Sequence, residues 1–235
     1  MSAILEATGV VKRFGGFTAL HGVDLTVAPG ERRGVIGPNG SGKTTLMNVV
    51  AGRMRPDGGA VLFDGASLGN MPAWRRARLG IARSFQVPLP FGGMSLLDNL
   101  RVPLEQRGES DAAARARVLL DEFGLGARAA HQASELSQVE LRKLELARAV
   151  AGRPRLLISD EAMAGLSGAE IDEVLELLFR LNATGIAVVM IEHMMRAIMR
   201  FSQRVTCLDL GRVIAEGTPD EVVAHPEVRR AYLGA

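Results

Sequence analysis

The chain has 235 residues, 47% hydrophobic and 23% charged, which excludes wholesale disorder and suits one domain, or one domain with a sub-lobe, that buries its own core. The formal net charge of +2 is no footprint of nucleic-acid binding, and the single cysteine, Cys207 in the apolar stretch Val205–Leu210, excludes a disulfide framework and a multi-cysteine metal site. No charged–apolar–small leader is visible and apolar runs such as Ile186–Ile191 fall far short of the ~20 residues of a membrane span, so we expect a cytosolic protein that relies on other chains for any spans.

The first third reads as β. Leu5–Phe14 and Leu20–Val27 are rich in Val, Leu and Thr, and Gly15-Gly16 and Pro29-Gly30 punctuate them as turns. Arg33–Ile36 is a third strand, then a glycine-rich loop, then a helix over Thr44–Ala51 that Gly52 can end. Ala60–Phe63 is a strand between the turns Pro56–Gly59 and Asp64-Gly65. Between Gln86 and Ser137 strand signals are scarce, and the reading is an inserted helical lobe, with Ser110 capping a helix over Asp111–Phe123 and a second helix over Val139–Ala151. The last third alternates. Arg155–Ile158 and Ile186–Ile191 are buried strands, and Ser167-Gly168-Ala169-Glu170 is a capping box opening a helix to about Asn182. Val205–Leu210 and Val213–Glu216 are further strands around Gly211, and Thr218-Pro219-Asp220-Glu221 caps a terminal helix. The pattern predicts an α/β fold whose ligands bind at the carboxyl ends of strands.

Gly37-Pro38-Asn39-Gly40-Ser41-Gly42-Lys43-Thr44 matches G-x-x-x-x-G-K-[ST], with a strand entering and a helix leaving. Glycines let several amides face one anion, and the helix N-terminus adds a favourable partial charge. Lys43, one of only three lysines among the 28 Lys and Arg residues, would reach the β- and γ-phosphates, Thr44 would offer a hydroxyl to Mg²⁺, and Thr45 is expected to bind the nucleotide with Gly37–Thr44. Leu156-Leu157-Ile158-Ser159-Asp160-Glu161 is an apolar strand ending in two carboxylates, a Walker-B-like arrangement that would deliver Asp160 to the metal and Glu161 to an attacking water.

The order of phosphate loop, Gln86, Leu136-Ser137, Asp160-Glu161 and His193 resembles an ABC-transporter ATPase subunit, most like the branched-chain amino acid uptake subfamily. The resemblance spans residues 1–235 and includes Lys12–Gly16, Gly217-Thr218-Pro219 and Ala231-Tyr232-Leu233-Gly234. It implies a P-loop NTPase core over 1–86 and 152–235, an N-terminal antiparallel β subdomain and a helical lobe over 87–151. It also implies that Phe14, with Phe17 as competitor, stacks on adenine, that Gln86 touches Mg²⁺ and water, that His193 contacts the γ-phosphate, and that Ala164–Ser167 crosses a dimer interface. In such ATPases two subunits sandwich two ATPs and each signature completes the partner's site. Permease subunits carry the cargo, which a separate solute-binding protein chooses, and the ATPase sits on the cytoplasmic face of the inner membrane. A permease helix would dock on Val87–Asn99, with Phe91, Met94 and Leu96-Leu97 exposed.

The signature departs from the family's L-S-G-G-Q, reading Leu136-Ser137-Gln138-Val139-Glu140. Ser137 could still bond a γ-phosphate. Val139 replaces a permissive glycine and Glu140 puts negative charge near where phosphates would lie. From this we expect a heterodimer with a better-equipped partner rather than a homodimer. Ala162 stands where the family usually has proline, and nothing in the sequence interprets it. The competing class is a nucleotide-dependent regulatory clamp with weak turnover. A P-loop kinase is disfavoured because no phosphoacceptor site is visible.

Overall fold

Apolar–polar alternation brings Leu5–Phe14 (β1) and Phe17–Val27 (β2) together as an antiparallel hairpin in the computed structural model, which describes residues 2–84 and 89–233. Gly58–Phe63 (β4) pairs with the other edge of β1, and Ala66–Ser67 (β5) with β4, giving a four-stranded sheet in the order β2-β1-β4-β5. This is the expected antiparallel β subdomain.

A second sheet carries Arg32–Ile36 (β3), Ile81–Arg83 (β6), Leu156–Asp160 (β7), Ala187–Ile191 (β8), Arg204–Asp209 (β9) and Arg212–Gly217 (β10) in the order β10-β9-β3-β8-β7-β6. All neighbours run parallel except β10, which returns from β9 around Gly211. Successive side chains divide between two cores, as a period of two requires. On β8, Ala187, Val189 and Ile191 join one apolar cluster with β1, β2 and the helix Lys43–Val50 (α1), while Val188 and Met190 join the other.

That second cluster is continuous from the sheet into the helices. It holds residues of Leu96–Gln106 (α3), Ala112–Glu122 (α4), Gln138–Ala151 (α5), Gly168–Ala183 (α6) and Met195–Phe201 (α7). The mostly helical stretch after β6 therefore shares its core with one sheet face. Ala73–Leu79 (α2), Pro219–Ala224 (α8) and Pro226–Leu233 (α9) complete the helices described.

Several expectations shift. The cap of α4 is Asp111, whose side chain accepts from the Ala114 amide at 3.0 Å, and not Ser110. The terminal helix is two helices, because Pro226 lacks the amide needed to continue α8. The sequence pattern did not reveal α2, β6, α3 or α7. In α2 the one buried side chain is Arg76, whose guanidinium donates to the carbonyls of Val49, Val50, Gly69 and Met71 and closes the end of α1. A helix that buries only an arginine shows no apolar stripe. In α3 the stripe is interrupted by Pro103. Within the expected docking stretch Val87–Asn99, Phe91 and Met94 are exposed, but Leu96 is fully buried and Leu97 packs against the core; Val87 and Pro88 lie outside the described residues.

Candidate active site

The register of the central strands levels three carboxyl ends. Val35 of β3 and Asp160 of β7 both stand opposite Ile191 of β8. The residues that follow these ends, from Gly37, from Glu161 and around His193, therefore emerge side by side.

At the first end the loop needs glycine for two reasons. A Cβ on Gly37 would lie 2.1 Å from the Leu208 carbonyl oxygen, and one on Gly42 would lie 2.8 Å from Leu20 Cδ2. Both residues also adopt positive φ, 148° and 104°, and Gly42 is the N-cap of α1. Lys43 is buried and donates to the Gly37 and Pro38 carbonyls at 2.7 and 2.9 Å, with Ser41 Oγ at 3.4 Å. Burial pushes its pKa down, and the nearby Glu161 and Asp160 carboxylates oppose that. Thr44 and Thr45 follow in the first turn of α1.

Glu161 adopts φ of 47°, the left-handed region that a non-glycine residue enters at a cost of about 1 kcal/mol or more. Its amide donates to Ile191 O at 2.9 Å, and its Oε1 lies 2.9 Å from His193 Nε2. The strained backbone and the strand-end hydrogen bond aim the carboxylate across the sheet at the histidine. A cavity of about 280 Å³ is lined by Phe14, Phe17, Asn39–Thr45, Glu161 and His193. Phe14 and Phe17 face each other across the β1–β2 hairpin end, both exposed, and the structure brings both to the cavity. Lys12 Nζ lies 5.6 Å from the Phe14 ring centroid.

Asp160 is buried at the end of β7, where Arg83 Nη2 donates to its Oδ2 at 2.5 Å; Arg83 Nη1 donates to Asn48 Oδ1 of α1 at 2.7 Å. The Thr44 hydroxyl and Asp160 carboxylate are hard oxygen donors of the kind Mg²⁺ takes. Among the described residues no group of three or more His, Cys, Asp or Glu could cage a metal, so a cation here would rely on phosphate oxygens as well. Gln86 lies outside the described residues.

Ser137 is not in the cavity lining. It is the N-cap of α5, in a capping box with Glu140: the Ser137 amide donates to Glu140 Oε2 at 2.9 Å, and the Glu140 amide faces Ser137 Oγ at 3.4 Å. Arg128 Nη1 lies 2.8 Å from both Glu140 oxygens. Burial pushes the Glu140 carboxyl up, but Arg128 and Ser137 outweigh it and hold it below the usual carboxylate range. The negative charge expected near a partner's phosphates is thus turned back onto its own helix and offset. Val139 packs against the core.

Sequence reasoning also missed Glu192. It is 2% exposed, and its Oε1 accepts from the Met163 amide at 3.0 Å, tying the segment after Glu161 to the end of β8. Its position just before His193 was the available signal.

The ABC transporter family model matches residues 20–164, and a model for the branched-chain amino acid ATP-binding cassette transporter matches residues 212–235. The chain belongs to the ABC transporter family. It is 36% identical to the high-affinity branched-chain amino acid transport ATP-binding protein LivG of Escherichia coli K12, over 98% of both chains. It is 35% identical to BraF of Pseudomonas aeruginosa, a protein of the same description, again over 98% of both. Among solved structures, the ADP conformation of an ATP-binding cassette of an ABC transporter superposes with a TM-score of 0.91 at 30% identity over 100% of both chains. A nucleotide-free ATP-binding cassette also gives 0.91, at 30% identity. The chain is thus an ABC-type ATPase subunit with the family's antiparallel β subdomain and helical lobe. No helix among the described residues is long and apolar enough to cross a membrane.

Proposed function

We propose that this chain binds and hydrolyses ATP to power uptake of branched-chain amino acids, or related small polar solutes, through separate permease subunits. The observation that carries the reading is the meeting of Glu161 and His193 beside Lys43 in one cavity, with Phe14 and Phe17 at its edge. In this reading the amides of Gly37–Thr44 and the Lys43 ammonium hold the phosphates, and Phe14 or Phe17 stacks on adenine. Glu161 takes a proton from the attacking water, and His193, bonded to Glu161, contacts the γ-phosphate. Thr44, Asp160 and Gln86 would hold Mg²⁺, which supplies charge neutralisation on the phosphate oxygens. The nucleotide-binding core comprises 1–86 and 152–235, and the helical lobe 87–151.

The permeases dock in a groove of about 600 Å³ between α2 and the helical lobe. Trp74, Arg78, Arg107 and Arg148 contribute to its lining, and no acidic residue does among the described residues. Arg148 joins it to the expected docking stretch: its guanidinium lies 4.6 Å from the Phe91 ring centroid and donates to the Leu89 carbonyl at 2.8 Å. The working unit pairs this chain with a second ATPase subunit at the cytoplasmic face of the membrane, and the solute-binding protein engages only through the permeases. LivG and BraF support the cargo class.

The test uses two variants in the complex co-purified with its permeases. Lys43→Ala should abolish ATP binding or nearly so. Glu161→Gln should keep binding, cut hydrolysis about a hundredfold or more and trap an ATP-bound dimer. Wild-type hydrolysis in Glu161→Gln would remove that carboxylate from the chemistry, and transport of labelled leucine into vesicles reads the cargo.

A further inference from the structure

We propose that Tyr232 is a positioning residue for the phosphate loop, bracing Gly37 from behind; this rests on the reading of Gly37–Thr44 as the nucleotide site. The Gly37 amide donates to the Tyr232 hydroxyl at 2.7 Å, across 195 residues of sequence. The carbonyl of the same glycine accepts from Lys43 Nζ at 2.7 Å. Gly37 is therefore held on both backbone groups, by the lysine on one and by the tyrosine on the other. Any change in the tyrosine's grip is felt by Lys43 through one residue.

The brace has further points of contact. Gly37 lies so close to the end of β9 that an added Cβ would overlap the Leu208 carbonyl. Gly211, in the β9–β10 turn, donates to Ser41 O at 3.0 Å. The helix break at Pro226 starts α9, whose Val228 is buried against the core, and α9 brings Tyr232 to the loop. Burial pushes the phenol up to about 12, so it stays protonated at working pH. The rear of the loop is thus built by residues 208–232, largely the segment matched by the branched-chain cassette model.

A hydrogen bond to a partly buried amide that fixes the loop's shape should act on nucleotide affinity more than on the chemical step. Tyr232→Phe keeps the ring and removes only the hydroxyl. In the full-length chain the variant should bind Mg-ATP and Mg-ADP about 5- to 10-fold more weakly, the effect of one lost bond. KM for ATP should rise in step and kcat should change less, with the nucleotide-free melting temperature close to wild type. Unchanged nucleotide affinity, whatever happens to kcat, overturns the proposal. Weaker binding together with a large fall in nucleotide-free stability also overturns it, since that marks a packing role. Lys43→Ala run alongside separates the two readings: retained binding there defeats the phosphate-loop assignment itself. If Tyr232→Phe does not fold, hydrogen exchange in the wild-type chain decides. The Gly37 amide should be protected relative to that of Gly40, and equal exchange of the two overturns the brace.

Discussion

Glu192 shows how far one carboxylate can be bent to a site. Burial is the largest influence on it and pushes its pKa up to about 7; the Met163 amide opposes this, the Glu161 charge adds to it, and Arg142 counters. Its folded value lies above the value of about 4.3 expected in the unfolded chain. Between roughly pH 4.5 and 7 the folded protein therefore holds more protons, and stability falls as pH rises through that window and levels off above it. Glu192→Gln keeps an acceptor for the Met163 amide and removes the charge. Relative to wild type the variant should gain stability from pH 5 to pH 8, by up to about 3 kcal/mol, in urea unfolding. An identical difference at both pH values would show that the folded and unfolded Glu192 carboxyls titrate alike, so that burial does not raise it. Among single residues, the phosphate loop was readable because glycine, lysine and threonine act within eight consecutive positions. Arg83 on Asp160 and Arg128 on Glu140 were not, because with three lysines among 28 basic residues any arginine looks like any other.

At the level of elements, α5 carries the least settled feature, the altered signature. Its first turn spends the Ser137 amide and hydroxyl on its own Glu140 and seats Val139 on the core. A phosphate bound by a partner subunit would have to compete with that cap. We expect the isolated chain to hydrolyse ATP slowly and to work as a heterodimer in which one composite site is fast and the other slow. Val139→Gly combined with Glu140→Gln restores a permissive backbone and removes the charge from the cap, leaving a neutral and weaker acceptor for the Ser137 amide, and should raise both ATPase activity and ATP-dependent dimerisation of the isolated chain. No change in either measurement would mean that the signature does not limit the protein. The elements legible in the sequence, such as β8 and α6, carry a continuous apolar run or a capping box in their own residues. Those that were missed take their reason from elsewhere: α2 exists to place Arg76 under the end of α1, and β6 is a three-residue edge strand completed by β7. The fold class was therefore readable while some of its parts were not.

At the scale of the whole molecule, the groove beside α2 and the carboxyl end of β7 share one residue. Arg83 lines the groove and also bonds Asp160 and Asn48, so a helix pressed into the groove touches the residue that steadies the acidic pair. Reversing charge at Arg78, which lines the groove from α2, should weaken co-purification with the permeases and lower their stimulation of ATP hydrolysis. ATP binding by the isolated chain should stay at the wild-type level, since Arg78 touches no part of the cavity. Normal co-purification of Arg78→Glu would move the docking surface elsewhere. The strand order has another consequence, felt before the protein ever meets a nucleotide. β3, which leads into the phosphate loop, pairs with β8 and β9, and about 155 residues separate Ile36 from Ile191. At a synthesis rate of about 5–20 residues per second, β3 waits roughly 8–30 s on the ribosome for its neighbours. The β1–β2 hairpin and β4 can close in the meantime, but β3 leaves the ribosome with both edges bare and with Val35 and Ile36 uncovered. The nascent chain is thus most in need of chaperone cover while its middle third is being made.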